Sequence, residues 1–289
     1  MSNATVTPKP PKREGHGINL SFYDFGPTPF FASQYDQRFS YCLYVPQDYS
    51  ETDGRQYDLA VIVHGTGRTA AQYRDRFADF AEKHGCIILA PLFPVGIVEP
   101  GELANYKRIE FHGIRYDLVL LSMVDEVCAK YRIRDGGFMM YGYSGGGQFC
   151  QRFFMLHPQR LRAVAIGAPG VVTLLNRDYD WWVGVRDLKA RFGIEIDLEA
   201  MRRVKVQTLI GSADDATWEI TIPRESKLWM DGADLQGANR LERIAALADS
   251  FEAHGIAVRR DIVPGVAHSP FEMVDPAEDF FTSIVTAAR

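Results

Sequence analysis

The chain has 289 residues, 46% of them apolar, and a formal net charge of -5. That length holds one large α/β domain or two small ones. The acidic balance leaves no basic footprint for nucleic acid or an anionic membrane surface, and no apolar run approaches membrane-spanning length. Met1 to Glu14 is polar and proline-bearing, without the hydrophobic core of a signal peptide, so a cytoplasmic location is expected. Cys42, Cys86, Cys128 and Cys150 are scattered and form no C-x-x-C pair. They read as reduced, mostly buried thiols rather than a zinc site or redox pair.

Residues 1–17 read as an extended or disordered arm. Residues 18–38 carry Ile18, Phe22, Tyr23, Phe25, Phe30, Phe31 and Tyr35, too many large apolar groups for a free tail. The stretch 1–38 is therefore expected to pack on the main domain, 39–289, and to bury those rings. Phe39 to Val45 alternates and ends at Pro46, which predicts a strand. Leu59 to Val63 is a continuous apolar run, the pattern of a strand covered on both faces. It ends at His64-Gly65-Thr66-Gly67-Arg68. Thr69-Ala70-Ala71-Gln72 has the form of a capping box, and Tyr73, Phe77, Phe80 and Ala81 follow at helical spacing up to Gly85. Cys86 to Ala90 is the next buried strand, stopped by Pro91.

Residues 91–113 read as a long loop without period, and loops of that length are usually functional or poorly ordered. Leu120, Val124, Val127 and Tyr131 mark an amphipathic helix, and Phe138 to Tyr141 a strand. Ala163 to Gly167 is another strand. Residues 171–203 interrupt the rhythm with Tyr179, Trp181 and Trp182 and a charged helical stretch from Leu188 to Met201. This predicts a cap-like insertion over the strand ends. Val204 to Ile210 resumes the sheet, and Trp218 to Gly237 is irregular. A helix carries Leu241, Ile244, Ala248 and Phe251, Val258 to Val263 is the last strand, and a final helix carries Phe280 and Ile284. Strands alternating with helices in buried apolar runs imply a mainly parallel sheet with helices on both faces. Function in such sheets gathers at the carboxyl ends of the strands, where His64, Ser144, Asp214 and His268 fall.

The densest signal is Gly142-Tyr143-Ser144-Gly145-Gly146, a G-x-S-x-G element with a strand before it and, through Phe149, Phe153 and Leu156, a helix after it. A serine on that turn is held in a strained conformation that lifts its Oγ from the sheet edge. Close passage of strand and helix demands glycine at 142 and 146. The Gly145 amide sits at the helix N-terminus, placed to donate to a developing oxyanion.

A serine hydroxyl needs a base within reach, and the base needs a partner to fix its tautomer. His268 follows the last strand and Asp214 the strand before it, and the order Ser144, Asp214, His268 suits a hydrolytic triad. Asp215 is adjacent to Asp214 and is the alternative acid; Asp178 and Asp180 are remote ones. His64 is expected to brace a loop rather than react, and the other histidines show no metal spacing with carboxylates.

The chain resembles the α/β-hydrolase superfamily over nearly its whole length from about residue 39. The residues that carry the resemblance are His64-Gly65-Thr66-Gly67, Gly142-Tyr143-Ser144-Gly145-Gly146, Gly211-Ser212-Ala213-Asp214 and Gly265-Val266-Ala267-His268. Within it the chain is similar to the esterase branch that includes polyhydroxybutyrate depolymerase-like and feruloyl-esterase-like proteins. The resemblance implies carboxylic ester hydrolysis of a small molecule without a cofactor or metal. Ser144 would attack, His268 would act as base and then acid, and Asp214 would orient the imidazole. The amides of Gly145 and Thr66, or Gly65 in place of Thr66, would hold the oxyanion. A peptidase or acyltransferase on the same scaffold is the alternative, and a binding protein that keeps the fold a further one. Aspartate at the elbow would have meant dehalogenase or epoxide-hydrolase chemistry, and cysteine a dienelactone-hydrolase-like enzyme. Tyr143, Trp181 and Trp182 are candidate substrate contacts, with packing of the insertion as the other reading of the tryptophans. Arg108, Arg115 and Arg186 are candidates to meet an acidic substrate, against the commoner fate of solvated charge.

Overall fold

Asp58–Val63 is buried at every position. Its alternate residues serve two cores: Leu59, Val61 and Val63 belong to one apolar cluster, Ala60 and Ile62 to another. In this computed structural model, which describes residues 20–287, the chain runs β1 (Gly26–Pro27), β2 (Phe31–Ala32), β3 (Ser40–Val45), β4 (Asp58–Val63), α1 (Ala70–Arg76), α2 (Ala78–His84), β5 (Cys86–Leu92), β6 (Glu110–Phe111), β7 (Ile114–Arg115), α3 (Tyr116–Lys130), β8 (Phe138–Tyr143) and α4 (Gly145–Leu156). It continues as β9 (Leu161–Gly167), α5 (Leu188–Phe192), α6 (Leu198–Arg203), β10 (Lys205–Gly211), α7 (Arg240–Ala253), β11 (Val258–Val263) and α8 (Val274–Ala287).

The nine-stranded sheet has the order β1-β3-β5-β4-β8-β9-β10-β11, with β2 also on β3. From β5 to β11 all pairings are parallel, and β3 joins β5 antiparallel. One face is covered by residues such as Leu120 and Val124 of α3, Phe149 and Phe153 of α4 and Phe251 of α7. The other is covered by Phe77 and Phe80 at α1 and α2 and by Phe280 and Phe281 of α8. This is the mainly parallel α/β sheet that the alternating pattern predicts. No helix among the described residues is long and apolar enough to cross a membrane.

Several local expectations change. Strand β5 runs through Pro91 to Leu92, because β4 pairs it only as far as Leu89 and the missing N–H at Pro91 disrupts no parallel ladder. The helix expected from Thr69 to Gly85 is two helices that break at Phe77 (φ -97°, ψ 11°), and the Thr69 side chain makes no cap hydrogen bond. Tyr73, Phe77 and Phe80 are nonetheless all buried. The expected loop 91–113 holds a short 3-10 turn, Asn105–Arg108, and β6, the first strand of a small hairpin with β7. The charged stretch after Leu188 is two short helices separated at Gly193, whose φ of 70° suits glycine.

Of the rings expected to anchor residues 18–38, Phe25 and Phe31 pack against Tyr49 and Tyr41. Phe22, Tyr23, Phe30 and Tyr35 are exposed instead. The segment lies at a sheet edge, where outward side chains have nothing to cover them, and polar contacts hold it. The Thr28 amide donates to Leu43 O and the Leu43 amide to Thr28 Oγ1, each at 2.9 Å, Tyr131 donates to the Asp24 carbonyl at 2.9 Å, and Lys130 pairs with Asp24. The arm 1–17 and Ile18 lie outside the described residues. All four cysteines are free, with Cys128 exposed and the others buried.

Glu278 on α8 lies among Asp275, Asp79 and Lys83, and its Oε1 makes no hydrogen bond among the described residues. Burial first, then the two aspartates, push its carboxyl up to about 7. The folded protein thus holds a proton that the unfolded chain releases. That contribution to stability is complete below the unfolded value and is lost as pH rises through about 7. Glu278→Gln is expected to be more stable than the parent above that point and equal to it in acid. Thermal melts from about pH 5 to about pH 8 check this; parallel curves for the two proteins would exclude it.

Candidate active site

Strand β8 delivers Ser144 at φ 56° and ψ -112°, and α4 begins at the next residue. A non-glycine residue with that backbone costs on the order of 1–3 kcal/mol and persists only where its surroundings enforce it. The enforcement is visible. The Ser144 amide donates to Gly167 O at 2.8 Å, and its carbonyl accepts from the Gln148 amide at 3.0 Å. A Cβ on Gly142 would lie 2.4 Å from Gly146 O, and one on Gly146 would lie 2.3 Å from Val63 O. Gly147, to which the motif assigns no role, is equally confined: its Cβ would meet Gly167 O at 2.3 Å. Three glycines therefore let α4 press on β4, β8 and β9 at once.

The loops after β10 and β11 are stitched together. Ser212 donates its amide to Val263 O, Ala213 donates to Val266 O, and the Gly265 amide donates to Ser212 Oγ. This brings Asp214 and His268 into contact, with His268 Nδ1 at 2.6 Å from Asp214 Oδ2. A buried carboxylate there selects the Nδ1–H tautomer and leaves Nε2 free as an acceptor. Asp214 is buried while Asp215 is exposed, and Asp180 pairs with Arg186 in the insertion. Arg240, at the start of α7, was not anticipated. Its Nη1 reaches Asp214 Oδ1 at 3.2 Å and its Nη2 reaches Glu219 at 2.7 Å. No motif marks it, because an arginine at a helix start has no signature.

Tyr143, expected at the substrate, is buried. Its ring lies 4.9 Å from that of His268, and its hydroxyl is 3.3 Å from Nδ1. It thus packs against the imidazole beside the elbow. Burial pushes its phenol up, so it stays neutral. Ser144 is partly exposed, and its hydroxyl makes no hydrogen bond among the described residues.

On the other side of the elbow His64 is fully buried. Its Nδ1–H donates to Gly65 O at 2.8 Å and its Nε2 accepts from the Phe93 amide at 3.1 Å. Both bonds require the neutral ring, and burial pushes its value down to about 4. His64 thus braces the loop. Arg68 adds bonds to Thr66 O and Asn105 Oδ1, and Tyr106 OH donates to His64 O at 2.9 Å. Because Gly65 C=O is turned toward His64, the Thr66 N–H across the same planar peptide points the opposite way. Thr66 Oγ1 lies 3.1 Å from where a Cβ on Gly145 would stand, and Lys107 Cε lies 3.0 Å from it. Gly145 opens α4, so its N–H has no intrahelical acceptor.

Trp181 and Trp182 are buried. Their indole N–H groups donate to Arg108 O and Leu228 O, each at 3.0 Å, which fastens the insertion. They also wall a cavity of about 350 Å³ together with Arg108, Phe111 and Trp229. Ser144 is not in that wall. Residues 105–108 stand between: Lys107 packs on Gly145 while Arg108 faces the cavity. Arg115 is paired with Asp117 and Arg186 with Asp180. Among the described residues no group of three or more His, Cys, Asp or Glu is placed to hold a metal ion.

No family model matches the chain. No curated protein matches it either. Solved structures do. LpqC, a poly(3-hydroxybutyrate) depolymerase from Bordetella parapertussis, superposes with a TM-score of 0.66 at 23% identity over 85% of this chain and 84% of its own. Poly(aspartic acid) hydrolase-1 from Sphingomonas sp. KT-1 gives 0.64 at 22% identity over 83% and 92%. A ferulic acid esterase gives 0.59 at 14% identity over 89% and 97%. The order and direction of the strands, the elbow after β8 and these superpositions identify the α/β-hydrolase fold, with neighbours in its esterase branch.

Proposed function

We propose that the protein is a serine hydrolase that cleaves a carboxylic ester through an acyl-enzyme intermediate. The observation that carries this is the 2.6 Å contact between His268 and buried Asp214, with the imidazole 4.9 Å from the ring of Tyr143, the residue before a serine of strained backbone. In this reading Ser144 Oγ attacks the acyl carbon as His268 Nε2 takes its proton. His268 then returns that proton to the leaving alcohol, and water repeats the sequence to release the acid. Asp214 holds the tautomer and stabilises the imidazolium. The amides of Gly145 and Thr66 receive the oxyanion, each donor contributing on the order of 3 kcal/mol; the direction of the Gly65 carbonyl favours Thr66 over Gly65. The Ser144 hydroxyl and the imidazole close to hydrogen-bond reach in the substrate complex, where such contacts tighten. Nothing in the sequence of steps calls for a cofactor. Esterases among the solved neighbours support the same chemistry.

The proposal takes 39–289 as the catalytic unit with residues 20–38 packed on it, and 171–203 as a cap-like insertion whose tryptophans line the cavity. It also includes a cytoplasmic location, to which four unpaired cysteines are suited. Cell fractionation tests that part.

A fluorophosphonate probe is expected to label Ser144, as read by peptide mass spectrometry, and to leave Ser144→Ala unlabelled. A folded parent protein that stays unlabelled would sink the reading. p-Nitrophenyl esters are expected to be cleaved in preference to matched anilides; the reverse order would make the protein an amidase or peptidase. Asp214→Asn is expected to lower kcat by roughly 10⁴-fold, through loss of the correct tautomer.

Arg240 is a positioning residue, acting through Asp214. A charged hydrogen bond of this kind contributes about 1.5–3 kcal/mol. Arg240→Met is expected to lower kcat on the order of ten- to a hundred-fold with KM little changed, and Arg240→Lys to recover part of it. A change in KM alone, or no rescue by lysine, would show that Arg240 merely packs.

A further inference from the structure

The 105–108 turn gathers positive charge that the protein does not neutralise. Arg68, Lys107, Arg108 and Arg152 stand around it, and no ion pair joins any of them to a carboxylate among the described residues. The carboxylate whose field reaches Arg68, Lys107 and Arg108 is Glu102. Arg152 is completely buried; it donates to Thr173 Oγ1 and Lys107 O, and its Nη2 has no partner among the described residues. Burial pushes Lys107 down to about 8 and Arg108 down to about 10. Unpaired charge out of water is costly, and chains rarely keep it without a use.

Arg108 has the clearest one. Its guanidinium lies 5.0 Å over the Trp182 ring, which leaves the N–H edges open. No hydrogen bond among the described residues uses those groups. It faces the cavity walled by Trp181, Trp182, Phe111 and Trp229. Other charged groups share the wall: Arg191 pairs with Glu110 at 2.6 Å and His112 with Glu99 at 2.7 Å, while Glu102 and Lys227 line it without an ion pair among the described residues. Of the three arginines whose sequence positions suggested an acidic substrate, Arg115 and Arg186 are paired internally, and Arg108 is not.

We infer that the preferred esters carry a carboxylate on an apolar or aromatic body, with the carboxylate held by the Arg108 guanidinium in the tryptophan-walled cavity. Lys107, the neighbour of Arg108 in the chain, packs on Gly145 and adds positive charge on the elbow side of the turn. The fork of an arginine matches a carboxylate bidentately, and the indole faces take the apolar body. This rests on the ester-hydrolase reading of Ser144.

The test uses matched ester pairs. p-Nitrophenyl hydrogen glutarate against p-nitrophenyl methyl glutarate places the charge on the acyl side; 4-carboxyphenyl butyrate against phenyl butyrate places it on the alcohol side. In one series the anionic ester is expected to show kcat/KM about ten-fold or more above its neutral twin. That ratio should shrink as sodium chloride rises from about 0.05 M to about 0.5 M. In Arg108→Met, with circular dichroism unchanged, the ratio should fall close to one, and in Arg108→Lys it should fall less. Benzoate, and not benzamide, should inhibit the parent protein competitively, a readout that does not depend on a variant folding. Neutral esters equal or preferred in both series, or a ratio that survives Arg108→Met, would overturn the inference while leaving the hydrolase reading intact. No turnover of any ester, with Ser144 unlabelled, would remove both.

Discussion

The close approach of α4 to the ends of β4, β8 and β9 is the constraint on which the site depends. A helix axis can come that near a sheet only where side chains are missing, and Gly142, Gly146 and Gly147 are the positions where a Cβ would strike backbone oxygen. The approach forces the chain to turn within one residue, and Ser144 takes the strained φ of 56° as the consequence. Exposure of the hydroxyl and the position of the Gly145 amide follow from the same turn. Strain at the serine and crowding at the glycines are thus one feature seen from two sides.

The second half of the site is held by a different device. Asp214 and His268 sit on separate loops, each too irregular to hold a side chain alone. Amide bonds between the loops, and the absence of a Cβ at Gly211 where Val266 O comes within 2.1 Å, make them one rigid piece. Arg240 and Tyr143 then complete the surroundings of the acid and the imidazole. The deeply buried carboxylate thus has a partner for each oxygen, the Arg240 guanidinium for Oδ1 and the His268 imidazole for Oδ2.

Histidines 64 and 268 show how burial and partners divide the work of one residue type. His64 spends both ring nitrogens on the backbone and is kept neutral by burial. His268 spends one nitrogen on Asp214 and keeps the other. The loop that His64 braces also carries Arg68 toward Asn105, which ties that loop to the 105–108 turn and its concentration of positive charge. The proposed oxyanion amides and the proposed carboxylate site therefore depend on the same short segment.

The sheet and most of its strands were legible because a strand covered on both faces must be apolar throughout, and runs such as Leu59 to Val63 admit no other reading. Ser144 was legible because its turn needs glycines at set offsets, and His268 and Asp214 because they end strands in the expected order. Gly147, Arg240, Tyr106 and Lys107 were not, since each acts on a residue remote in the chain and leaves no local pattern. Nor was the placing of the Tyr143 ring against His268 legible, because adjacency to Ser144 in the chain says nothing of which side of the sheet edge a ring occupies. The exposed rings of residues 20–38 failed because apolar content predicts burial only where a second layer exists to cover it. The amino-acid sequence by itself determined the layers, the elbow and the residue types available for chemistry, all of them consequences of short-range sterics and periodic burial. Tertiary structure alone decided which charges are paired and which are left free, because pairing depends on distances between segments that no local rule relates.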